Sequence, residues 1–247
     1  MTGAPDRGPR VVLLDIEGTT TPVAFVYDVL FPYARRKVRS FVAERLHAPE
    51  VRADVDALRA EHAREAAGAT GLPPWRTEPA EALVDSVTAF VHWLMDQDRK
   101  STGLKSLQGR IWEEGYRTGE LHGQVYPDVP EALARWRREG RRAAIFSSGS
   151  VLAQRLLFSH ASGGDLTPLL DAYFDTTTGP KKEPASYRAI ARALGEEPGA
   201  VLFVSDVAAE LDAARAAGMG TALCVRAGAP PSGADHHVVA SLDRLWS

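Results

Sequence analysis

The sequence predicts an α/β fold in which a parallel sheet, covered by helices on both faces, carries an inserted helical module. Three observations predict it. Val11-Val12-Leu13-Leu14 and Val201-Leu202-Phe203-Val204 are apolar runs without polar alternation, the pattern of strands buried on both faces, and each leads into an acid, Asp15 and Asp206. From about residue 126 onward, strand-like runs alternate with helical periodicity, which implies right-handed βαβ crossovers. Between the first strand and that region, roughly a hundred residues pass with helical spacing alone. The expected architecture is a Rossmann-like parallel sheet core with an inserted α-helical cap: residues 1–21 and 126–247 form the core, and residues 22–125 the cap.

The elements follow in order. After the strand ending at Leu14 and the turn Thr21-Pro22, Phe31, Val38, Phe41, Val42 and Leu46 recur at helical spacing around a basic group, Arg35, Arg36, Lys37 and Arg39, which reads as a solvated face. Residues 51–67 form a second helix with Val55 and Leu58 inward, and Gly68 to Thr77, with Gly71, Pro73 and Pro74, a loop. Leu83, Val87, Phe90 and Leu94 mark a third helix, and Leu104, Leu107 and Ile111 a fourth. Asp128 is expected to N-cap a helix with Pro130 in its first turn that stops near Gly140. Strand Arg142 to Ser147, helix Val151 to Ser159, strand Ala172 to Phe174, helix Ala185 to Leu194, strand Val201 to Asp206, helix Ala208 to Ala217 and strand Thr221 to Val225 complete the alternation. The stretch from Ala227 to His237, with Pro230, Pro231 and Gly233, reads as a loop before a last short apolar segment, with the pair His236-His237 exposed to solvent.

Bulk properties narrow the function. The 247 residues are 45% hydrophobic and 25% charged, an ordinary globular composition that can bury a substantial core. Lys and Arg number 29 against 32 Asp and Glu, a net charge of −3 without a long basic block, so neither nucleic acid nor a membrane is an expected partner. The single Cys224 excludes an internal disulfide and, within Ala222-Leu223-Cys224-Val225, reads as a buried structural thiol. Residues 1 to 10 carry Pro, Gly and charge instead of an apolar signal segment, so a cytoplasmic protein is expected. Nothing suggests an obligate partner chain, and monomer is the default.

Four strand ends carry the chemistry. Asp15 stands where ligands gather in open α/β sheets, outside a strand's carboxyl end, followed by Glu17, Gly18, Thr19 and Thr20. Two acids repel a phosphate unless a cation intervenes, so the pair reads as a Mg²⁺ site in which Asp15 holds the metal and attacks phosphorus. Taken alone, D-x-E-G-T reads equally as a solvated acidic turn. Ser147-Ser148-Gly149-Ser150 offers hydroxyls and free N–H groups at a helix start, a cradle for phosphate. Lys181 or Lys182 can place an ammonium between Asp15 and the phosphate. Asp206 supplies a second Mg²⁺ carboxylate, with Glu210 four residues on in a role the sequence leaves open.

That order of motifs resembles the haloacid dehalogenase-like phosphohydrolases. Leu14-Asp15-Ile16-Glu17-Gly18-Thr19-Thr20-Thr21-Pro22, Leu30-Phe31-Pro32-Tyr33, Asp98-Arg99-Lys100, Leu104-Lys105-Ser106-Leu107-Gln108-Gly109, Ser147-Ser148-Gly149-Ser150-Val151 and Ser186-Tyr187-Arg188 are similar to the enolase-phosphatase family within them. The resemblance implies that Asp15, the Glu17 backbone carbonyl and Asp206 bind one Mg²⁺ per chain. It also implies that Ser147 and Ser148 hold the substrate phosphate, that Lys181 neutralises it, and that Glu17 is the candidate acid/base. Pro180, Lys182 and Pro184 depart from the family pattern around that lysine. The implied substrate is a small phosphorylated diketone, 2,3-diketo-5-methylthiopentyl-1-phosphate, converted to an acireductone in methionine salvage. A phosphatase for another small phosphorylated metabolite, or a receiver-like domain with Asp15 as phosphoacceptor, are the alternatives.

Overall fold

The computed structural model describes residues 8–99, 101–229 and 235–246. Most of the amino-terminal stretch read as lacking a signal segment, Lys100, and Pro230, Pro231 and Gly233 of the tail loop lie outside the described residues. The chain divides into two compact units, Met1–Val26 with His122–Ser247 and Tyr27–Leu121. Strand β1 (Val11–Leu14) belongs to the first and is completely buried. A π-helical turn, Phe25–Leu30, which the apolar spacing did not foretell, then leads into α1 (Phe31–Arg45).

The second unit is built from α1, α2 (Pro49–Glu65), α3 (Ala80–Asp96) and α4 (Thr102–Arg117). The apolar positions three and four apart form its interior: Val38, Phe41 and Val42 of α1, Leu58 of α2, Val87, Phe90 and Leu94 of α3, and Leu107 and Ile111 of α4 are all buried. Helix α1 packs on α3 and α4, and α2 on α3 and α4. Ser101 caps α4 by accepting from the Leu104 N–H at 3.0 Å. The basic face of α1 is exposed, as its composition suggests, and is laced with ion pairs: Arg35 to Asp96 at 2.7 Å, Lys37 to Glu120 at 2.7 Å and Arg39 to Asp85 at 3.0 Å.

The first unit resumes with α5 (Asp128–Arg138), β2 (Arg142–Phe146), α6 (Val151–Ser159), β3 (Ala172–Phe174), α7 (Pro184–Leu194), β4 (Val201–Ser205), α8 (Ala208–Ala216), β5 (Gly220–Cys224) and β6 (His237–Val239). The strands form one six-stranded sheet in the order β3-β2-β1-β4-β5-β6, with every pairing parallel. Successive side chains of a strand face opposite ways, and each face has its own core. Val11, Leu13, Phe146 and Phe203 pack with Tyr187 and Ile190 of α7 and Leu211 of α8. Helices α5 and α6 pack on β2 and β3. Leu14 pairs with Ile145 on one side and Val204 on the other, so the ends of β1, β2 and β4 lie level. From β1 the strand order runs outward in both directions, and such a reversal is where open α/β sheets bind their ligands.

Three local expectations give way to tertiary contacts. Asp128 is not an N-cap: the capping position is Pro127, without a side-chain bond, and the Asp128 carboxylate accepts from Arg226 and from the Leu242 N–H. A sixth strand, β6, occupies the short apolar segment after the tail loop, takes His237 from that loop and pairs with β5. His236 is buried, because its Nδ1 meets Thr221 Oγ1 at 2.8 Å and its Nε2 lies 3.2 Å from Asp212, whereas His237 is exposed in β6. Cys224 is a buried thiol whose pKa burial pushes up to about 11.

Candidate functional site

Asp15 follows the last residue of β1, its N–H donating to the Val204 carbonyl of β4 at 3.0 Å, so the side chain is fixed at the level where the strands end. It is 4% exposed. Lys181 Nζ donates to Asp15 Oδ1 at 2.6 Å and lies 2.6 Å from Glu210 Oε2. Ser205 Oγ sits between the same two acids, 3.4 Å from Asp15 Oδ2 and 3.2 Å from Glu210 Oε2, and accepts from the Val207 N–H at 3.1 Å. Its one proton serves one carboxylate at a time.

The loop before α7 explains why Lys181 is the residue that reaches in. Tyr187 Oη donates to the Lys181 carbonyl at 2.6 Å and Ser186 Oγ to the Pro180 carbonyl at 2.8 Å, clamping the loop onto the first turn of α7. Gly179 has φ of 144°, and a Cβ there would collide with Ser186 Oγ. Lys182 is exposed. Burial opposes the charge on Lys181, but Asp15 and Glu210 outweigh it and its pKa is raised.

The acids beside it behave in the opposite way. Burial, then the negative charge of Asp15, raises the pKa of Glu17, with Lys181 opposing and Asp206 adding to the rise. Asp206 is raised by burial and by Asp15, and Glu210 by burial and Asp15 against the pull of Lys181. Asp15, Glu17 and Asp206 therefore lie within electrostatic reach of one another. Gly18 makes the approach of Glu17 and Asp206 possible: its φ is 69°, and a Cβ there would overlap the Asp206 carboxylate.

Among the described residues no group of three or more His, Cys, Asp or Glu side chains forms a ready-made metal cluster. The set read from the sequence asks for less, two carboxylates and one main-chain carbonyl. Its chemistry fits a small hard cation: the donors are all oxygen, and Asp15 destabilises the charge on Asp206, a cost that a bound dication would offset.

At the end of β2, Ser147 is buried and its Oγ accepts from the Gly149 N–H at 3.2 Å, while Ser148 is half-buried beside it. Ser150 caps α6 by accepting from Ala153 N–H at 3.3 Å. Buried Gln154 holds this turn in place, its Nε2 donating to the carbonyls of Gly149 and Phe174 at 2.8 Å each. The sequence assigns no site role to Gln154, Tyr187 or Arg226, and Tyr187 enters there only within a stretch that carries the family resemblance. Only Glu210 carried a signal, its spacing of four from Asp206, which returns it to the strand end on the first turn of α8.

A family model for haloacid dehalogenase-like hydrolases matches residues 9–218. The enolase-phosphatase E1 of Synechococcus elongatus is 58% identical over 88% of this chain and 89% of its own, and that of Sorangium cellulosum is 50% identical over 94% of each. Among solved structures, the UTR4 protein of Saccharomyces cerevisiae is similar with a TM-score of 0.75 and 32% identity, covering 96% of this chain and all of that one. A dehalogenase, at TM-score 0.54 and 22% identity over 97% of this chain and 96% of its own, shares the fold.

Proposed function

Because the chain belongs to the haloacid dehalogenase-like hydrolases and, within them, to the enolase-phosphatase E1 family, we propose that it converts 2,3-diketo-5-methylthiopentyl-1-phosphate to the acireductone 1,2-dihydroxy-3-keto-5-methylthiopentene and phosphate. The observation that carries the reading is the buried Asp15 with Lys181 Nζ at 2.6 Å, an acid facing an ammonium at the carboxyl end of the central strand. Asp15, the Glu17 carbonyl and Asp206 would hold one Mg²⁺. When bound, that ion supplies Lewis-acid stabilisation for charge developing on carbonyl and phosphoryl oxygens.

The remaining work belongs to the chain. An Asp15 oxygen attacks phosphorus, the bond from phosphorus to the enediol oxygen breaks, and the leaving oxygen takes a proton. Glu17 is the donor in this reading, an acid two residues from Asp15 and within its electrostatic reach. Glu17, as carboxylate, then removes a proton from the water that hydrolyses the aspartyl-phosphate. Ser147 and Ser148 receive the phosphoryl oxygens at the start of α6, and the Lys181 ammonium offsets their charge. The helical unit, residues 27–121, acts as a cap that covers the substrate and excludes water. The proposed enzyme is a cytoplasmic monomer.

The test is incubation of purified protein with Mg²⁺ and the diketone phosphate, following enediol absorbance and phosphate release separately. Both signals are expected, with the enediol rising first or together with phosphate. Phosphate without any enediol would replace this reading with a simple phosphatase, and neither signal would remove it.

A further inference from the structure

We infer that Arg226 is a positioning residue for phosphoryl transfer, holding the loop Glu17 to Thr21 in register beside Asp15 through the Thr19 carbonyl. The inference rests on the proposed function in taking Asp15 as the nucleophile and Asp15, the Glu17 carbonyl and Asp206 as the Mg²⁺ ligands.

The loop has one cross-link of its own, from the Gly18 N–H to the Thr21 carbonyl at 2.9 Å, and otherwise turns on a single acceptor. The N–H groups of Thr19, Thr20 and Thr21 all point to one acceptor, the Ile16 carbonyl, at 3.2, 2.9 and 2.9 Å. A carbonyl has two lone pairs, so three donors share it weakly. Thr19, Thr20 and Thr21 are fully buried, yet the hydroxyls of Thr19 and Thr21 have no hydrogen-bond partner among the described residues. Thr20 Oγ1 donates only back into the turn, to Asp15 O at 3.1 Å or Ile16 O at 3.3 Å.

The hold comes from outside. Arg226, two residues beyond β5, donates Nε and Nη2 to the Thr19 carbonyl at 2.9 and 2.5 Å. Its Nη1 donates to both Asp128 oxygens at 2.8 Å, and the guanidinium lies 4.2 Å from the Tyr126 ring centroid. Asp128 is fixed in turn by the Leu242 N–H at 2.6 Å, and the Tyr126 N–H takes the next loop carbonyl, Thr20 O, at 2.9 Å. The side chain of Arg226 is 8% exposed. A planar fork locked at both ends fixes the carbonyl's direction as well as its distance, which one ammonium at the same place does not. The loop so fixed carries Glu17 and Gly18, and a Cβ on Gly18 would already overlap Asp206, so a small shift of the loop changes how Glu17 and Asp206 face Asp15.

The variants are Arg226→Lys, which keeps charge and bulk but loses the fork, and Asp128→Asn, which loosens the fork from its far end. For Arg226→Lys, kcat is expected to fall about 10–100-fold with KM changed by less than about 3-fold, the size seen when a residue supporting a ligand is removed. Calorimetric binding of Mg²⁺ to the substrate-free protein is expected to weaken by about 10-fold. Amide hydrogen exchange of the peptide spanning residues 15–22 should quicken while that of β4 stays put. Asp128→Asn should show the same pattern with smaller changes. Wild-type kcat, Mg²⁺ affinity and exchange in Arg226→Lys, or in Asp128→Asn if the first variant does not fold, overturn the inference. So does uniform loss of exchange protection across the sheet, which marks a stabilising residue only. Para-nitrophenyl phosphate serves as a second substrate, so the same comparison decides the matter even if the wild type ignores the diketone phosphate.

Discussion

The outer face of α1 and the carboxyl ends of the central strands carry charge in opposite ways. On the helical unit, Arg39 and Asp85 pair with 53% and 57% of their side chains exposed, and Arg35 and Asp96 with 40% and 57%. Such pairs gain little over water, typically about 0.2–1 kcal/mol each. At the sheet edge, Lys181 with 11% of its side chain exposed stands between Asp15 with 6% and Glu210 with 10%. Burying three charges costs more than their attraction returns unless the geometry is good and every lone pair is answered. The contrast teaches that the charges on α1 are answered largely by water, whereas the buried triad is answered only from within, by Lys181 Nζ between the two acids and Ser205 Oγ beside them.

Four changes sharpen that contrast, from the largest effect to the smallest. Asp15→Asn is nearly isosteric and should cut phosphate release by at least about 10³-fold, as loss of a nucleophile does, with the far-ultraviolet spectrum unchanged. Turnover within about 10-fold of wild type would reject the nucleophile. Lys181→Met leaves two buried acids facing each other without a cation and should lower unfolding free energy by about 3 kcal/mol, measured by urea denaturation at neutral pH. Adding Glu210→Gln to it should restore part of the loss, and a double variant no more stable than the single would show that the acids do not repel through that gap.

The third change concerns pH. Glu17 has a raised pKa in the folded protein, so between the unfolded and folded values the native state binds more protons, and stability is lost as pH rises through the folded value. Glu17→Gln removes that loss. With chelator present, its melting temperature minus that of wild type should be near zero in acid, where both states are protonated, and become increasingly positive toward neutral pH. A difference independent of pH would contradict the burial of that charge. The smallest effect belongs to Arg39→Ala, which should change stability by less than about 1 kcal/mol, and by still less in high salt.

The same division separates what the sequence could show from what it could not. The runs at Val11 and Val201, the turns that follow them and the helical spacing from Phe31 to Ile111 are local patterns, and the strands and helices read from them agree closely with the observed ones. Asp15 could be recognised because an acid ending a fully apolar run is unusual in its own neighbourhood, whereas the residues alone left Lys181 and Lys182 open and only the family resemblance favoured Lys181. Which lysine turns inward was decided by Tyr187 and Ser186 clamping the backbone, which no spacing reveals. Asp128 has the residue type and position of an N-cap, yet Arg226, 98 residues away, takes its carboxylate. Likewise His236 reads as one of two loop histidines until Thr221 and Asp212 enclose it, and β6 is too short to announce itself before β5 lies beside it. Local propensity loses wherever a buried partner far along the chain offers a stronger bond.

The account depends on covalent transfer of phosphate to Asp15, and the most direct test is to quench the protein during turnover and reduce it with borohydride, which converts an aspartyl-phosphate to homoserine. Homoserine at position 15, dependent on substrate and absent from Asp15→Asn, is the predicted result. Phosphate released with no homoserine at that position, or with the modification at another carboxylate such as Asp206, would contradict it.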